Sequence, residues 1–263
     1  MAGNAGAPER LVAHDIVKSF GGVVALAGVG LVAPSRQIVS IIGPNGAGKT
    51  TLINGISGVY PLDRGRVLLD GQDITGMPAY RVAQQGIART FQNVALFRGM
   101  TVLQNIMLGR NSHMHAGVLA CGLFWGPARR EEIAHRRKVE EIIDFLEITA
   151  IRKVPVASLP LGLQKRVELG RALAAEPRVL LLDEPMGGMN LEEKESMARY
   201  ILDVVETHDM TVVLIEHDMG VVMDISDHII VLDQGAKIAE GSPQQVRTNP
   251  VVIEAYLGKA HAA

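Results

Sequence analysis

The sequence predicts an α/β fold with a mostly parallel central sheet, and two observations lead to that prediction. Apolar segments of strand length recur along the chain, at 37–42, 66–70, 178–183, 211–216 and 228–233. Helical patterns separate most of them, and the clearest is KVEEIIDFLE at 138–147, where apolar residues recur at helical spacing. Uninterrupted apolar strands that alternate with helices indicate a largely parallel sheet covered on both faces.

The regions outside this alternation predict two further parts. Near the N-terminus, two short β-like pieces, RLVAHDIVKSF and VVALAGVGLVA, are separated by Gly21 and Gly22, which indicates an antiparallel subdomain at an edge. The stretch from about 72 to 160 has mostly helical patterns and predicts a helical region.

Composition excludes several classes of protein. Of the 263 residues, 48% are hydrophobic and 21% are charged, which is typical of a packed globular chain and not of a disordered one. A net charge of −2 argues against non-specific binding of nucleic acid as the main role. The single cysteine, Cys121, excludes an intrachain disulfide. We expect neither a secretory signal at the start nor a membrane span, because the longest uncharged stretch, 111–128, is only partly apolar.

The segment GPNGAGKT at 43–50 follows the strand QIVSII and precedes the helical TLINGIS. It fits the pattern G-x-x-x-x-G-K-[ST] in the required strand–loop–helix setting and therefore predicts a phosphate-binding loop. Its glycines allow backbone N–H groups to turn towards phosphate oxygens, and the positive end of the following helix points at the same place. Lys49 can reach the β- and γ-phosphates, and the Thr50 hydroxyl can ligate Mg²⁺.

The segment RVLLLDEP at 178–185 ends a buried strand with two adjacent acidic residues, which are predicted to have different roles. Successive side chains of a strand point in opposite directions, so Asp183 and Glu184 are not expected to do the same chemistry. Asp183 can face the metal through water or through the Thr50 hydroxyl, and Glu184 can polarise an attacking water. The rival interpretation is a strand that ends in solvated acids, and the phosphate loop upstream makes it the weaker one.

The segment TVVLIEHD at 211–218 repeats this design with a histidine. Ligands of open α/β sheets bind at the carboxyl ends of the strands, so His217 is expected to approach the γ-phosphate.

The segment LPLGLQKR at 159–166 is an unusual helix start, because no Ser, Thr, Asp or Asn supplies a side-chain cap. Together with the phosphate loop, Gln92 in TFQNVALF, the acid pair, GGMN at 187–190 and His217, it resembles the ATP-binding cassette family in order and spacing. The resemblance covers essentially the whole chain. It implies one P-loop NTPase cassette over 1–263, with 8–91 and 165–258 as the nucleotide-binding core plus β subdomain, and 92–164 as the helical subdomain.

In that family the segment at 159–164 is the signature motif, which contacts the γ-phosphate of ATP held by a second cassette. Two cassettes then face each other head to tail with two ATP molecules between them. The usual signature is L-S-G-G-Q. Here Leu159 is followed by Pro160 and Leu161 in place of Ser and the first Gly, Gly162 remains, and Leu163 precedes Gln164.

The missing hydroxyl suggests an asymmetric pair. A hydrogen bond to a charged group contributes roughly 1.5–3 kcal/mol, so this signature is expected to serve a partner's nucleotide poorly. The chain's own catalytic residues look complete, which favours a heterodimer with a cassette that has an intact signature. The rival interpretation is that the N–H groups of Gly162, Leu163 and Gln164 suffice as donors.

The resemblance also implies roles for other residues. Phe20, in VKSFGG, matches the aromatic residue that stacks on adenine, although a core phenylalanine is the rival interpretation. Gln92 matches the loop glutamine that senses the metal site and the membrane partner, and Asn190 stands where the family usually has Asp. The full implied set is Lys49, Gln92, Glu184 and His217 for catalysis, Thr50, Gln92 and Asp183 for Mg²⁺, and Phe20, Gly43, Pro44, Asn45, Gly46, Ala47, Gly48, Lys49, Thr50, Thr51 and Asp183 for ATP.

Within the family, the region after Gln104, the L-x-x-G-x-Q signature and the ending KIAEGSPQQVRTNPVVIEAYLG are most similar to the Liv-type ATP-binding subunits of branched-chain amino acid importers. This implies two membrane permeases, a periplasmic solute-binding protein and a second cassette as partners, no nucleic acid, and a peripheral place at the cytoplasmic face of the inner membrane. The alternative is a cassette for urea, amides or aromatic acids, or a homodimeric lipid exporter. The uncharged segment 111–128, with Phe124 and Trp125, either docks a partner or packs locally.

A GTPase or a nucleotide kinase would share the phosphate loop. A GTPase should also have N-K-x-D for guanine, and no Asn in this chain precedes a Lys. A kinase needs an Arg-rich lid, and the basic residues near 110–140 form what looks like a solvated helix face.

Overall fold

The structure is a computed structural model, and it describes residues 7–90, 92, 94–113 and 127–257. Most of the uncharged segment 111–128, including Cys121, Phe124 and Trp125, lies outside the described residues, so its predicted role is not addressed by the structure. No helix in the described ranges combines the length and the apolar character that crossing a membrane requires.

The central sheet has six strands in the order β10-β9-β3-β8-β7-β6. Five adjacent strands pair parallel with one another, namely β9, β3, β8, β7 and β6. At one edge of the sheet, β10 pairs antiparallel with β9. The predicted α/β fold with a mostly parallel sheet is therefore confirmed. The strands are β3 (Ile38–Ile42), β6 (Ile87–Arg89), β7 (Val179–Asp183), β8 (Thr211–Ile215), β9 (His228–Asp233) and β10 (Ala236–Gly241).

A second sheet has four strands in the order β2-β1-β4-β5, and they pair antiparallel. It confirms the predicted antiparallel β subdomain. The strands are β1 (Glu9–Phe20), β2 (Val23–Pro34), β4 (Arg64–Leu69) and β5 (Gln72–Asp73).

The segment 66–70 was grouped with the strands of the parallel sheet, and this prediction is wrong. Its residues belong to β4, which pairs with β1 in the antiparallel sheet. The burial pattern of β4 differs from that of the strands in the parallel sheet. In β4 only Val67 and Leu69 are buried, whereas every residue of β3, β7 and β8 is buried. The apolar run in the sequence therefore does not mark a strand buried on both faces. In β4 buried positions alternate with more exposed ones, so the strand buries only one face.

Helices cover both faces of the central sheet. Between the two sheets, Leu26, Ile41 and Leu52 belong to one buried apolar cluster. On the other face, residues such as Ile143, Val167 and Leu182 join the remaining helices to the sheet. The helices are α1 (Lys49–Ile56), α2 (Ala79–Gln84), α3 (Val102–Leu108), α4 (Pro127–Phe145), α5 (Leu161–Ala174), α6 (Leu191–Thr207), α7 (Met219–Ile225), α8 (Pro243–Arg247) and α9 (Pro250–Leu257).

The topology gathers three loops at one edge of the central sheet. β3, β7 and β8 are parallel neighbours, so their carboxyl ends lie side by side. The segments that follow them are 43–48, 184–190 and 216–218. This is the edge where open α/β sheets bind ligands.

Candidate functional site

The loop between β3 and α1 has a conformation that its glycines make possible. Gly43, Gly46 and Gly48 have φ values of 147°, 80° and 100°, which L-residues rarely adopt. Space is short at two of these positions as well. A Cβ atom would stand 2.0 Å from the Leu232 carbonyl oxygen at Gly43, and 2.7 Å from the Ala25 carbonyl oxygen at Gly48.

This loop has several backbone N–H groups that are free to bind a ligand at the start of α1. In the described part of the chain, the N–H groups of Gly46, Gly48, Thr50 and Thr51 donate no hydrogen bond, and α1 has no side-chain N-cap. The buried side chain of Lys49 folds back over the loop, where Nζ donates to the carbonyl oxygens of Gly43 (2.8 Å) and Pro44 (3.0 Å). Open N–H groups beside an ammonium group form a cradle for an anion.

The cradle forms one wall of an open cleft of about 250 Å³. The predicted catalytic residues Gln92, Glu184 and His217 line the opposite side of this cleft. The other lining residues are Ala25, Asn45, Gly46, Ala47, Gly48, Lys49, Thr50 and Thr51.

Asp183 ends β7 and is almost fully buried. Its Oδ2 accepts a hydrogen bond from Arg89 of β6 at 3.0 Å, while its Oδ1 makes no hydrogen bond of standard geometry with any described residue. Burial raises the pKa of the carboxyl, and the charge of Arg89 and, more weakly, the Thr50 hydroxyl oppose that shift. A buried carboxylate oxygen left open beside Thr50 fits a group that a hydrated cation approaches.

Glu184 lies outside the strand on which the sequence argument placed it. β7 ends at Asp183, and Glu184 has a left-handed φ of 51°. The two acids diverge because the backbone turns at Glu184. The carboxylate of Glu184 is bound on both sides, by His217 Nε2 at 2.8 Å to Oε1 and by Gln92 Nε2 at 3.2 Å to Oε2. The structure thus brings together three of the four residues predicted for catalysis, and Lys49 lines the same cleft.

Three side chains that contact the predicted site residues or their loops were not predicted from the sequence. Arg89 holds Asp183, Glu216 accepts hydrogen bonds from the N–H groups of Met186 and His217, and Lys165 donates to the Glu184 carbonyl oxygen. Glu216 directly precedes His217 and could have been noticed there. Arg89 lies on a strand of three residues, too short for a periodic pattern to reveal it.

Phe20 lies at the end of β1 and does not line the cleft. Its ring is half-exposed and meets Tyr60 edge to face, with 5.2 Å between the ring centroids. The Tyr60 hydroxyl donates to the Thr51 carbonyl oxygen in α1, at 3.1 Å. Tyr60 therefore links Phe20 to the helix that follows the phosphate loop, and the Lys18 ammonium group lies over the Phe20 ring, 5.4 Å from its centroid.

The signature segment 159–164 lines no part of the cleft of its own chain. Pro160 is the N-cap residue of α5 and makes no side-chain cap, as the sequence predicted. Leu159 is buried, while Pro160 and Leu161 are exposed. Gly162 is covered by the Glu193 carboxylate, since an added Cβ atom would meet that group.

The predicted donor set at the start of α5 needs a correction. The N–H of Gln164 is not available, because it donates to the Pro160 carbonyl oxygen at 3.0 Å as part of the helix. The helix starts at Leu161, so the open N–H groups are those of Leu161, Gly162 and Leu163. The Gln164 side chain is also engaged, since its Nε2 donates to the Leu159 carbonyl oxygen at 2.7 Å.

Protein ligands for a cation are few at this site. The described residues contain no group of three or more His, Cys, Asp or Glu side chains that could hold a metal ion. The oxygen donors that the site offers are the Thr50 hydroxyl, the open oxygen of Asp183 and the side-chain amide oxygen of Gln92. Oxygen donors in this small number suit Mg²⁺, which keeps several waters and takes its remaining ligands from phosphate oxygens.

Comparison with known proteins agrees with this geometry. The family described as ABC transporter matches residues 26–187, and the family described as Branched-chain amino acid ATP-binding cassette transporter matches residues 236–262. The chain is 44% identical over 251 residues to the high-affinity branched-chain amino acid transport ATP-binding protein BraF of Pseudomonas aeruginosa, covering 95% of this chain and 98% of that protein.

A second relative and a solved structure extend the similarity. The chain is 39% identical over 253 residues to the protein LivG of Escherichia coli, named for the same transport, covering 95% of this chain and 98% of LivG. A crystal structure of a nucleotide-free ATP-binding cassette from an ABC transporter has 33% identity and a TM-score of 0.83, covering 94% of this chain and 98% of that one.

Proposed function

This chain belongs to the ABC transporter ATP-binding family, and from that premise we propose that it is the ATP-hydrolysing subunit of an importer for branched-chain amino acids or related small polar solutes. The observation that carries the proposal is the similarity to BraF and LivG over 95% of the chain, together with the family match at its C-terminal end. The roles of individual residues, the partners and the place in the cell described below are part of the same proposal.

The phosphate loop binds the triphosphate of ATP through its open N–H groups and Lys49. The supporting observations are the positive φ values of its glycines and the unused donors around the cleft. Phe20, backed by Tyr60, offers its exposed ring to the adenine. The Thr50 hydroxyl, Gln92 and, through water, Asp183 would hold Mg²⁺, which would neutralise charge on the phosphates.

Glu184 is the general base of hydrolysis. Its carboxylate is held between His217 and Gln92, which orient it towards the cleft that Lys49 and Thr50 line. In that position it accepts a proton from the attacking water. His217 lines the same cleft as the phosphate loop, which places it beside the phosphate end of the nucleotide, and Lys49 stabilises the charge that develops on the transferred group.

A second cassette completes the nucleotide site. The signature segment of this chain, 159–164, does not line its own cleft, so its open N–H groups at Leu161, Gly162 and Leu163 are left for another chain's nucleotide. Because no hydroxyl accompanies those donors, we propose a heterodimer with a cassette whose signature is intact.

The transporter also includes two transmembrane permease subunits and, on the far side, a periplasmic solute-binding protein. The chain sits peripherally at the cytoplasmic face of the inner membrane. The helical subdomain, 92–164, transmits closure of the cassette pair to the permeases through the segment around Gln92. Within the described part of 92–164 the secondary structure is helical, apart from one isolated bridge between Thr101 and Pro155.

The proposed function is tested by uptake in cells that lack this chain. We expect uptake of labelled leucine, isoleucine and valine to be lost, restored by the wild-type chain, and not restored by the Glu184→Gln variant. Urea and an aromatic acid serve as control solutes. Unchanged uptake of the three amino acids, with loss of a control solute, would refute the solute class while leaving the ATPase in place.

A further inference from the structure

Lys165 is a buried cation one helical turn from the open donors of the signature segment. It lies on α5, its side chain is almost fully buried, and its Nζ donates to the carbonyl oxygen of Glu184 at 2.6 Å. Its ammonium group also lies close to Gly187, in the loop that follows Glu184. The side chain therefore joins the signature helix to the backbone of the proposed general base.

Three carboxylates interact electrostatically with this ammonium group, and two of them hold loops of the site. Glu216 binds the N–H groups of Met186 (2.7 Å) and His217 (3.0 Å), and Glu168, also on α5, binds the N–H of Ala95 at 3.3 Å. Burial lowers the pKa of Lys165, whereas Glu216, Glu168 and Glu184 oppose that shift. A buried cation is tolerated when carboxylates and a carbonyl share its charge in this way.

The backbone at Glu184 needs such support. A non-glycine residue at a φ of 51° is held against its preference, at a cost of about 1–2 kcal/mol. The Glu184 N–H donates to the Ile215 carbonyl oxygen at 2.9 Å, and the Glu184 carbonyl oxygen accepts from Lys165 Nζ at 2.6 Å and from the Gly187 N–H at 3.3 Å. These three bonds fix the peptide planes on both sides of Cα and so aim the carboxylate between His217 and Gln92, and Lys165 supplies the charged donor among them.

We propose that Lys165 is a positioning residue that couples the two half-sites of this chain. It ties the helix whose start contacts the partner's nucleotide to the residue that activates water at the chain's own nucleotide. A displacement of the start of α5 is carried by the rigid helix to Nζ and from there to the Glu184 backbone. The coupling rests on the proposed function, since it presupposes that the start of α5 meets a phosphate of the partner.

The first test is hydrogen exchange of the full-length, nucleotide-free chain. We compare Lys165→Met, which removes the donor, with Lys165→Arg, which keeps a charged donor, and with Lys138→Met as a control on an exposed lysine paired with Glu176. Losing a charged hydrogen bond is expected to accelerate exchange of the amides of 184–190 about tenfold in Lys165→Met. We expect little change in β7, in the Arg variant and in the control. Equal exchange of 184–190 in all four chains overturns the proposal.

The second test is a kinetic separation. In the assembled complex, Lys165→Met should lower kcat for ATP about tenfold with KM within about twofold of wild type, and Lys165→Arg should recover most of the loss. A parallel rise in KM, or no rescue by Arg, would show that the side chain is merely structural. If Lys165→Met does not fold, Lys165→Gln replaces it in both tests. A wild-type chain without ATPase activity would refute the proposed function, yet the exchange result would still decide the Lys165–Glu184 tie.

Discussion

The phosphate loop and the signature segment are both helix starts, and they differ in what precedes the helix. Neither α1 nor α5 has a side-chain N-cap. At α1 the preceding loop is shaped by glycines at positive φ, and a lysine closes over it. At α5 the preceding residues are Leu159 and Pro160, and the Gln164 side chain turns back to the Leu159 carbonyl oxygen. The same helix-end polarity is thus surrounded by a cradle of donors at α1, whereas the start of α5 has no such cradle and the Glu193 carboxylate covers its Gly162.

This difference teaches that a helix start alone does not make a complete phosphate site. The dipole and open N–H groups in the first helical turn are common to both starts. The phosphate loop adds further N–H groups from its glycines and the charge of Lys49, so it can hold a triphosphate by itself. The signature start has only its own N–H groups, which makes it dependent on a nucleotide already held by another chain.

The largest expected effect is on ATP hydrolysis at the phosphate-loop site of this chain. Glu184→Gln keeps the shape of the side chain but removes the base, so ATP turnover should fall about 10²- to 10⁴-fold. Affinity for ATP should stay within about twofold, because the phosphate loop is unchanged. Phosphate release and nucleotide titration measure the two quantities. Retained hydrolysis would remove Glu184 as the base.

The shape of the cradle is tested by a pair of glycine variants. In Gly48→Ala the new Cβ would approach the Ala25 carbonyl oxygen to 2.7 Å at a φ of 100°, whereas Gly46→Ala, at a φ of 80°, meets nothing within 4 Å. Gly46→Ala should therefore cost only about 1–2 kcal/mol of unfolding free energy from backbone strain, and Gly48→Ala should cost more and lose ATP binding.

Denaturant unfolding measures the stability loss of each variant, and nucleotide titration measures its affinity for ATP. Equal losses in the two variants would mean that the crowding at Gly48 does not shape the loop.

The signature side is tested by restoring what it lacks. The double variant Pro160→Ser, Leu161→Gly supplies a hydroxyl and a second glycine, and a hydrogen bond to a charged group is worth roughly 1.5–3 kcal/mol. We expect ATP turnover of the assembled complex to rise up to about tenfold. The matched control is Pro160→Ala, Leu161→Gly, which lacks the hydroxyl and should stay near wild type. No difference between the two double variants would favour the view that backbone donors suffice.

The smallest effect is on stability and concerns the helix start itself. Pro160→Ser gives α5 a side-chain cap that it lacks, and such a cap contributes about 0.5–2 kcal/mol relative to an uncapped start. We expect the free energy of unfolding to rise by about 0.5–1 kcal/mol in urea. A decrease would mean that the rigidity of Pro160 matters more than the missing cap.

Much of the fold and the site could be predicted because the signals are local. The phosphate loop, the acid pair and His217 each follow a buried apolar strand, and parallel strands bring such segments to one edge. The confirmed antiparallel subdomain was indicated by alternating pieces around Gly21 and Gly22. These features need no knowledge of distant contacts.

The missed features depend on contacts between distant segments. β4 was grouped with the wrong sheet because only its pairing with β1 shows that one face is exposed. Arg89 and Lys165 contact Asp183 and Glu184, which lie 94 and 19 residues away along the chain. The open donors of the signature segment were shifted by one residue because the helix start was not marked by a capping side chain.

We propose that this chain has a complete site for holding its own nucleotide, whereas its signature segment lacks the hydroxyl that would contact the nucleotide of the partner. The most direct measurement is ATP-dependent self-association of the Glu184→Gln chain by sedimentation, with and without Pro160→Ser and Leu161→Gly. The account predicts weak self-association of the single variant and association at least about tenfold tighter with the restored signature. Equally tight association of both chains would contradict it.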